Sequence, residues 1–252
     1  MNIFICGACG RMGKNVAEVA GERGVGIAAG VDIVSEATPF PLYKNIADVC
    51  EKADAVVDFS SAAALESVLS FCEERRLPVV LAATGYSDAD LVRIQKAAQR
   101  IAVFKTGNLS IGINLLQLLA KKAAQILGDA FDAEIIERHH HFKKDAPSGT
   151  ALMLAQSVNE GLGGGRNNVY GRQGMVGERQ KNEIGIHAVR GGTIVGEHEV
   201  MFAGEDEIVT LSHSARSRKV FASGAIRAAT WLCGRRPGLY DMNDLLAEFV
   251  DE

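Results

Sequence analysis

The 252 residues carry 27 Lys+Arg against 31 Asp+Glu, a net charge of −4, with 47% apolar and 23% charged side chains. This is the make-up of an ordinary globular chain of one or two domains, not of a disordered one. The acidic balance argues against nucleic-acid binding, which needs a basic face, and the longest uncharged apolar stretch, Thr106 to Ala120, is too short and too polar for a membrane span.

The chain opens with a short apolar strand over 2–6, a glycine-rich turn and a helix over 12–23. Strands follow over 26–31, 53–59, 78–82 and 101–105, with helices over 62–75 and 88–100 between them. Ser87 or Asp88 reads as an N-cap. Short buried strands alternating with amphipathic helices predict βαβ units on a parallel sheet. The pattern changes near residue 109. A long helix over 111–127 ends at Gly128, a strand covers 131–138, and a helix introduced by Pro147 covers 148–160. A glycine-rich loop spans 161–177, and loops of that length are usually functional or mobile. Strands over 183–189, 193–203 and 206–214 follow, the last two as a hairpin. A helix over 217–233 and a segment over 238–249 close the chain. The expected class is α/β: a parallel-sheet domain over 1–109 and 216–252, and a mixed α+β domain with an open sheet over 110–215.

Five cysteines (Cys6, Cys9, Cys50, Cys72, Cys233) are an odd number in a chain too large to need staples, which fits a reducing cytoplasm. The N-terminus, MNIFICGACG, lacks the basic start of a secretory signal. Cys6 and Cys9 have C-x-x-C spacing. A zinc site needs two further ligands that no second C-x-x-C supplies, and a thiol redox pair is a competing reading.

Between the first strand and first helix lies Gly7-Ala8-Cys9-Gly10-Arg11-Met12-Gly13. This is the context of a dinucleotide fingerprint. Glycines let the backbone turn sharply and a pyrophosphate approach, and the helix start offers N–H groups and a positive dipole end. The spacing is G-x-x-G-x-x-G, with Cys9 in the place of the usual second glycine, and a plain tight turn would look similar. Asp32 ends the second strand about 20 residues on, where an acid bonds the ribose hydroxyls. It favours a free 2′-hydroxyl, hence NADH. Ile33 beside it cannot pair a 2′-phosphate, which leaves Lys14 or Arg11 to tolerate one.

Three of the six histidines cluster in Glu137-Arg138-His139-His140-His141-Phe142-Lys143-Lys144-Asp145-Ala146-Pro147-Ser148-Gly149-Thr150. Metal binding is one reading, but adjacent histidines on an extended chain face opposite ways, and Arg138, Lys143 and Lys144 repel a cation. A surface loop is a second. An acid/base and anion site is a third. Histidine moves protons near neutrality, lysine holds a carboxylate or donates a proton, and the helix beginning at Pro147-Ser148-Gly149-Thr150 presents N–H groups to an anion. Such a cluster suits a small polycarboxylate reduced with proton delivery.

Several strings in one order resemble the dihydrodipicolinate reductase (4-hydroxy-tetrahydrodipicolinate reductase) family. They are GACGRMGK at 7–14, VDFSSA at 57–62, AATG at 82–85, TGNLSIGIN at 106–114, ERHHHFKKDAPSGTA at 137–151, VRGGTIVGEHEVMFAG at 189–204 and SARSRKVFASGAIRAATWL at 214–232. The resemblance covers nearly the whole chain, and HH-x-x-K-x-DAPSGTA is its most specific part.

The resemblance implies a Rossmann-like cofactor domain and an α+β substrate domain whose sheet helps build a homotetramer. It implies hydride transfer from NADH or NADPH to a cyclic unsaturated dicarboxylate, giving tetrahydrodipicolinate in lysine and diaminopimelate biosynthesis, with no metal. In the matching positions Gly7, Ala8, Cys9, Gly10, Arg11 and Met12 hold the pyrophosphate and Asp32 the ribose. Ala82, Ala83 and Thr84 line the nicotinamide, as do Thr106, Gly107, Asn108 and Leu109. His139 is the proton donor/acceptor and Lys143 the proton donor. His140, Gly149 and Thr150 bind substrate, joined by Ser148 at the helix start. Cys9, Ala82, Ala83, Ile33 and Phe142 depart from the family pattern, which touches the nucleotide preference and not the reaction. The rival readings are a non-catalytic NAD(H)-binding redox sensor, a thiol oxidoreductase and a two-domain dehydrogenase acting on an aldehyde.

Overall fold

The structure is a computed structural model that describes residues 1–249. In chain order its elements are β1 (Asn2–Cys6), α1 (Arg11–Glu22), β2 (Gly26–Val31), β3 (Leu42–Tyr43), β4 (Ala55–Asp58), α2 (Leu65–Arg75), β5 (Val79–Leu81), α3 (Asp88–Ala98), β6 (Ala102–Lys105), α4 (Ile111–Leu127), β7 (Asp132–His139), α5 (Gly149–Gly161), β8 (Asn167–Tyr170), β9 (Glu183–Arg190), β10 (Gly196–Ala203), β11 (Ile208–Ala215), α6 (Lys219–Leu232), β12 (Gly238–Tyr240) and α7 (Met242–Ala247). The chain divides into two units, Met1–Ser110 with the stretch from Arg218 onward, and Ile111–Ser217.

In the first unit seven strands form one sheet in the order β12-β6-β5-β4-β1-β2-β3. Every pairing is parallel. Phe4, Cys6, Val56, Val79, Leu81 and Val103 pack with Leu69, Cys72 and Ile94 of the helices on one face. The alternate residues Ile3, Ile5, Val57, Val80 and Phe104 are equally buried. A parallel sheet covered on both faces requires such near-continuous apolar strands. On this second face α6 packs beside α1 and against β4, β5 and β6. Its contact residues are small: Ala222, Gly224, Ala225, Ala228 and Ala229 are buried. Trp231 meets Phe104 edge-on at 6.2 Å. The N-cap of α3 is Ser87, whose hydroxyl accepts from the Asp90 N–H while the Asp90 carboxylate accepts from the Ser87 N–H, a capping box. The strand order reverses at β1, which has β2 on one side and β4 on the other. At such a switch point the carboxyl ends of the strands open a crevice for ligand.

In the second unit five strands run in the order β11-β10-β7-β9-β8. The sheet is mixed: β10 pairs antiparallel with β7 and β11, and β9 pairs parallel with β7 and β8. Ile113, Leu116 and Ala120 of α4 and Leu154, Ala155 and Val158 of α5 pack on Ala133, Ile135, Ile184, Ile186, Val200 and Phe202 of one face. On the other face Glu134 accepts from both Arg172 ηN groups, Arg179 Nε and His187 Nε2. Burial alone would raise its carboxyl, but Arg172, His187 and Arg179 outweigh that and hold it at about 2.

The strand over 2–6, the strand over 26–31 and the helix over 111–127 fall where the sequence pattern puts them. Two strands lie where the pattern shows none. β3 is a two-residue edge, and β8, Asn-Asn-Val-Tyr, has no apolar alternation and sits inside the stretch expected as a loop over 161–177. Pro147 precedes the cap of α5 instead of occupying its first turn; Ser148 is the N-cap.

Candidate active site

The cofactor candidates all belong to the first unit. Gly7 has φ +75°, and a Cβ there would lie 2.7 Å from the Phe59 carbonyl oxygen. A Cβ on Gly13 would lie 2.1 Å from the Gly7 carbonyl oxygen. These two positions require glycine. Cys9 is not left-handed, so its side chain is tolerated, with Sγ 3.6 Å from the Val34 carbonyl.

The N–H groups of the turn are largely engaged within the protein. Those of Gly7 and Ala8 donate to the Val31 carbonyl at 2.8 and 3.3 Å, that of Gly10 to Gly7 at 3.1 Å, and that of Cys9 to Asp32 Oδ2 at 2.9 Å. Gly7, Ala8, Cys9 and Gly10 therefore shape the turn. The N–H groups left open are those of the first turn, Arg11, Met12 and Gly13, which have no acceptor among the described residues. Asp32 Oδ1 also accepts from the Val34 N–H at 2.9 Å. Each carboxylate oxygen keeps a further acceptor site for a ribose hydroxyl. Beside it opens a cavity of about 430 Å³ lined by Gly7, Gly10, Asp32, Ile33, Lys44 and Ser60 among others. Lys14 is held by Glu36 at 2.9 Å. Lys44, which the sequence reading missed, is the lysine that lines this cavity. It follows β3, the edge strand with no sequence signal.

Ala82, Ala83 and Thr84 leave the carboxyl end of β5, and Thr106, Gly107, Asn108 and Leu109 leave that of β6, the same sheet edge as the turn. The Ala82 N–H donates to the Asp58 carbonyl, and Asn108 Oδ1 accepts from the Ser110 N–H at 2.8 Å. Leu109 is buried, and a Cβ on Gly224 would sit 1.7 Å from its carbonyl oxygen. The segment's backbone therefore packs closely against α6 at a position that needs glycine. The fit to a dinucleotide rests on the turn, the open donors and the cavity beside Asp32. The thiol-pair reading fails: Cys6 lies in the core, where burial and then Asp58 push its thiol well up, and all five cysteines are free.

The substrate candidates all belong to the second unit. β7 ends at His139, and strand alternation puts Glu137 and His139 on one face. Glu137 has 0% exposure and His139 8%. His139 Nδ1 lies 2.5 Å from Glu137 Oε2. Arg190 grips the same carboxylate with both ηN groups at 2.8 and 2.7 Å, and the Ser148 N–H donates to Oε1 at 2.9 Å. Burial would raise the Glu137 carboxyl, but Arg190, His139 and the Ser148 N–H outweigh that and hold it below the ordinary range.

The three histidines diverge: His139 is buried, His140 is half-buried with its N–H on the Ile194 carbonyl, and His141 is exposed against Phe142 at 3.9 Å. They form no metal-holding cluster among the described residues. Lys143 Nζ lies 2.8 Å from Asp145 Oδ1, and this contact holds the Asp145 carboxyl down. Ser148 is buried, with Oγ accepting from the Ala151 N–H and 3.2 Å from His198 Nε2. The expectation that the Ser148 N–H is free for an anion is therefore corrected, because Glu137 takes it. The open start of α5 falls to exposed Gly149. Glu137 and Arg190 were missed by sequence reasoning. E-x-H on a strand is a signal for the first; the second arrives through the β7–β9 pairing, which sets His139 opposite Arg190.

A family model described as dihydrodipicolinate reductase, N-terminus, matches residues 1–109, and one described as dihydrodipicolinate reductase, C-terminus, matches residues 112–246. The chain is 49% identical over 247 residues to a 4-hydroxy-tetrahydrodipicolinate reductase of Caldanaerobacter subterraneus subsp. tengcongensis, with 98% of each chain covered. It is 44% identical over 246 residues to that of Clostridium novyi, with 97% of each covered. In fold it is similar to a dipicolinate-bound dihydrodipicolinate reductase from Paenisporosarcina sp. TG-14, at TM-score 0.80, 24% identity, 96% of this chain and 98% of that one. With both halves matched and relatives this similar along nearly their whole length, the chain belongs to the 4-hydroxy-tetrahydrodipicolinate reductase family.

Proposed function

We propose that this protein reduces 4-hydroxy-tetrahydrodipicolinate (dihydrodipicolinate) to tetrahydrodipicolinate with a nicotinamide nucleotide, a step of lysine and diaminopimelate biosynthesis. The observation that carries the reading is one strand–loop–helix in a chain of this family. It holds a carboxylate-backed histidine, a lysine and an open helix start. Residues 1–109 with 216–252 serve the nucleotide, and 110–215 serve the substrate and assembly. The nucleotide, when bound, supplies the hydride. Arg11, Met12 and Gly13 hold its pyrophosphate and Asp32 its ribose. NADH is the preferred form, because Asp32 accepts from a free 2′-hydroxyl and exposed Ile33 offers no charge.

In the substrate site Gly149 and Thr150 at the start of α5 hold one carboxylate and so orient the ring, with His140 beside them. Lys143 exchanges Asp145 for the substrate and stabilises charge that develops as hydride adds, while His139 moves the proton at Nε2. The five free thiols support a reducing cytoplasmic setting. The functional assembly is a homotetramer, as family resemblance implies; light scattering of the purified protein reads this directly.

The test is a coupled assay in which pyruvate and aspartate semialdehyde are condensed by a synthase and nicotinamide absorbance is followed with NADH and NADPH separately. Synthase-dependent oxidation, faster per unit of KM with NADH, is the expected result. No oxidation with either nucleotide, from protein shown to bind NADH, would overturn the reading in favour of a non-catalytic sensor.

A further inference from the structure

A carboxylate with no exposed surface is costly unless donors replace its water. Glu137 has those donors in full: the Arg190 fork, the Ser148 N–H and the His139 ring. An ionised carboxylate only accepts, so the ring nitrogen facing it must carry the proton. That assigns the Nδ1–H tautomer to neutral His139 and leaves Nε2 as the nitrogen with a lone pair.

The surroundings of the ring agree with this assignment. Nε2 faces Gly196 of β10, where even a Cβ would come within 3.1 Å. His198 stands edge-on to the ring at 5.1 Å, its own Nε2 directed to Ser148. Burial and then the nearby His139 push the His198 imidazole down to about 4, so at neutral pH it adds no charge. The titratable and charged groups around the pair are Arg190 from β9, His198 from β10, His213 from β11, and Lys143 with Asp145 on the β7–α5 connection.

We propose that Glu137, clamped by Arg190 and the Ser148 N–H, is a positioning residue that fixes the tautomer and orientation of His139 so that Nε2 alone exchanges the proton. The inference rests on the functional reading above, in which His139 moves that proton. It also explains why the N-cap of α5 turns its N–H inward. The same residue that starts the anion-holding helix braces the carboxylate behind the histidine, so both halves of the substrate site share one anchor.

The experiment is nitrogen NMR of histidine-labelled protein, with His139→Gln identifying the signal, alongside pH–rate profiles. In the native protein above neutral pH the His139 Nδ1 should show a protonated-nitrogen shift and Nε2 an unprotonated one; the opposite assignment overturns the proposal without any variant. In Glu137→Gln the tautomers should mix. The kcat should fall roughly 10²-fold with the KM for substrate changed far less, and the kcat–pH profile should depart from the native one. Glu137→Asp, which keeps the charge, should keep the native profile with a smaller loss. Glu137→Gln that lowers Tm or raises KM while tautomer and profile stay native overturns the inference alone. Unchanged kcat in His139→Ala overturns the functional reading and the inference with it.

Discussion

Two places in this chain do the same thing by opposite means. After β1, and again after β7, a strand runs through a turn into a helix. The first is built mainly from backbone: glycine at 7 and 13 gives space, internal carbonyls and the Asp32 carboxylate take the N–H groups of the turn, and three first-turn donors remain. The second is built from buried charge: Glu137, Arg190 and His139 lock together and borrow the N–H of the helix cap. A backbone site tolerates changes of side chain, as Cys9 shows, but not a Cβ where none fits. A charge-built site tolerates neither the loss of one partner nor a change of pH that alters it.

The contrast breaks or sharpens under specific changes. The largest effect is expected for His139→Ala, which should lower kcat roughly 10²–10⁴-fold while NADH binding measured by fluorescence titration stays within about twofold. A parallel loss of NADH binding would mean the second site is not independent of the first.

Next is the pH dependence of stability. The folded-state value of about 4 for His198 lies below its ordinary value of 6.5, so the unfolded chain takes the proton first. The penalty is absent above about 6.5, grows as pH falls, and is complete below about 4, on the order of 3 kcal/mol. Urea midpoints of native protein and His198→Asn across that window should converge as pH drops; parallel curves would dismiss the buried neutral histidine.

Third, Gly13→Ala should weaken NADH binding about tenfold or more and cost about 1–3 kcal/mol of stability, because its Cβ would press on the Gly7 carbonyl. Calorimetric titration that shows native affinity would mean the turn yields.

The smallest effect is for Lys44→Ala. It should weaken NADPH binding roughly two- to fivefold, the worth of an exposed ion pair, and leave NADH unchanged.

How far the sequence carried the reading depends on how local each cause is. The glycine-rich strand–turn–helix was legible because its parts lie within seven residues, and Asp32 directly follows the next strand. The histidine–lysine string was legible for the same reason. What stayed hidden depends on pairing across distance. Arg190 reaches Glu137 because β9 pairs in register with β7, and Lys44 reaches the cavity because a two-residue strand adds to the sheet edge. Ser148 was misread in one respect: its N–H looked free by helix rules, and no local rule shows a buried carboxylate eleven residues earlier waiting for it. β8 escaped because a polar edge strand carries no apolar alternation.

The first unit is not a continuous stretch of chain: β12 pairs with β6, and α6 packs beside α1, although Ile111–Ser217 comes between. During synthesis the six strands from β1 to β6 emerge long before α6, which closes over Val57, Val80 and Phe104. Until then the part of that face over β4, β5 and β6 is bare, and a ribosome paused anywhere in the second unit presents it to chaperones or to other nascent chains. The second unit, contiguous in the chain, can complete its own core first. The sheet of the first unit is therefore covered on both faces only once α6 has been made. A stop codon late in the reading frame would yield a product with its second unit intact and part of the first unit's sheet uncovered.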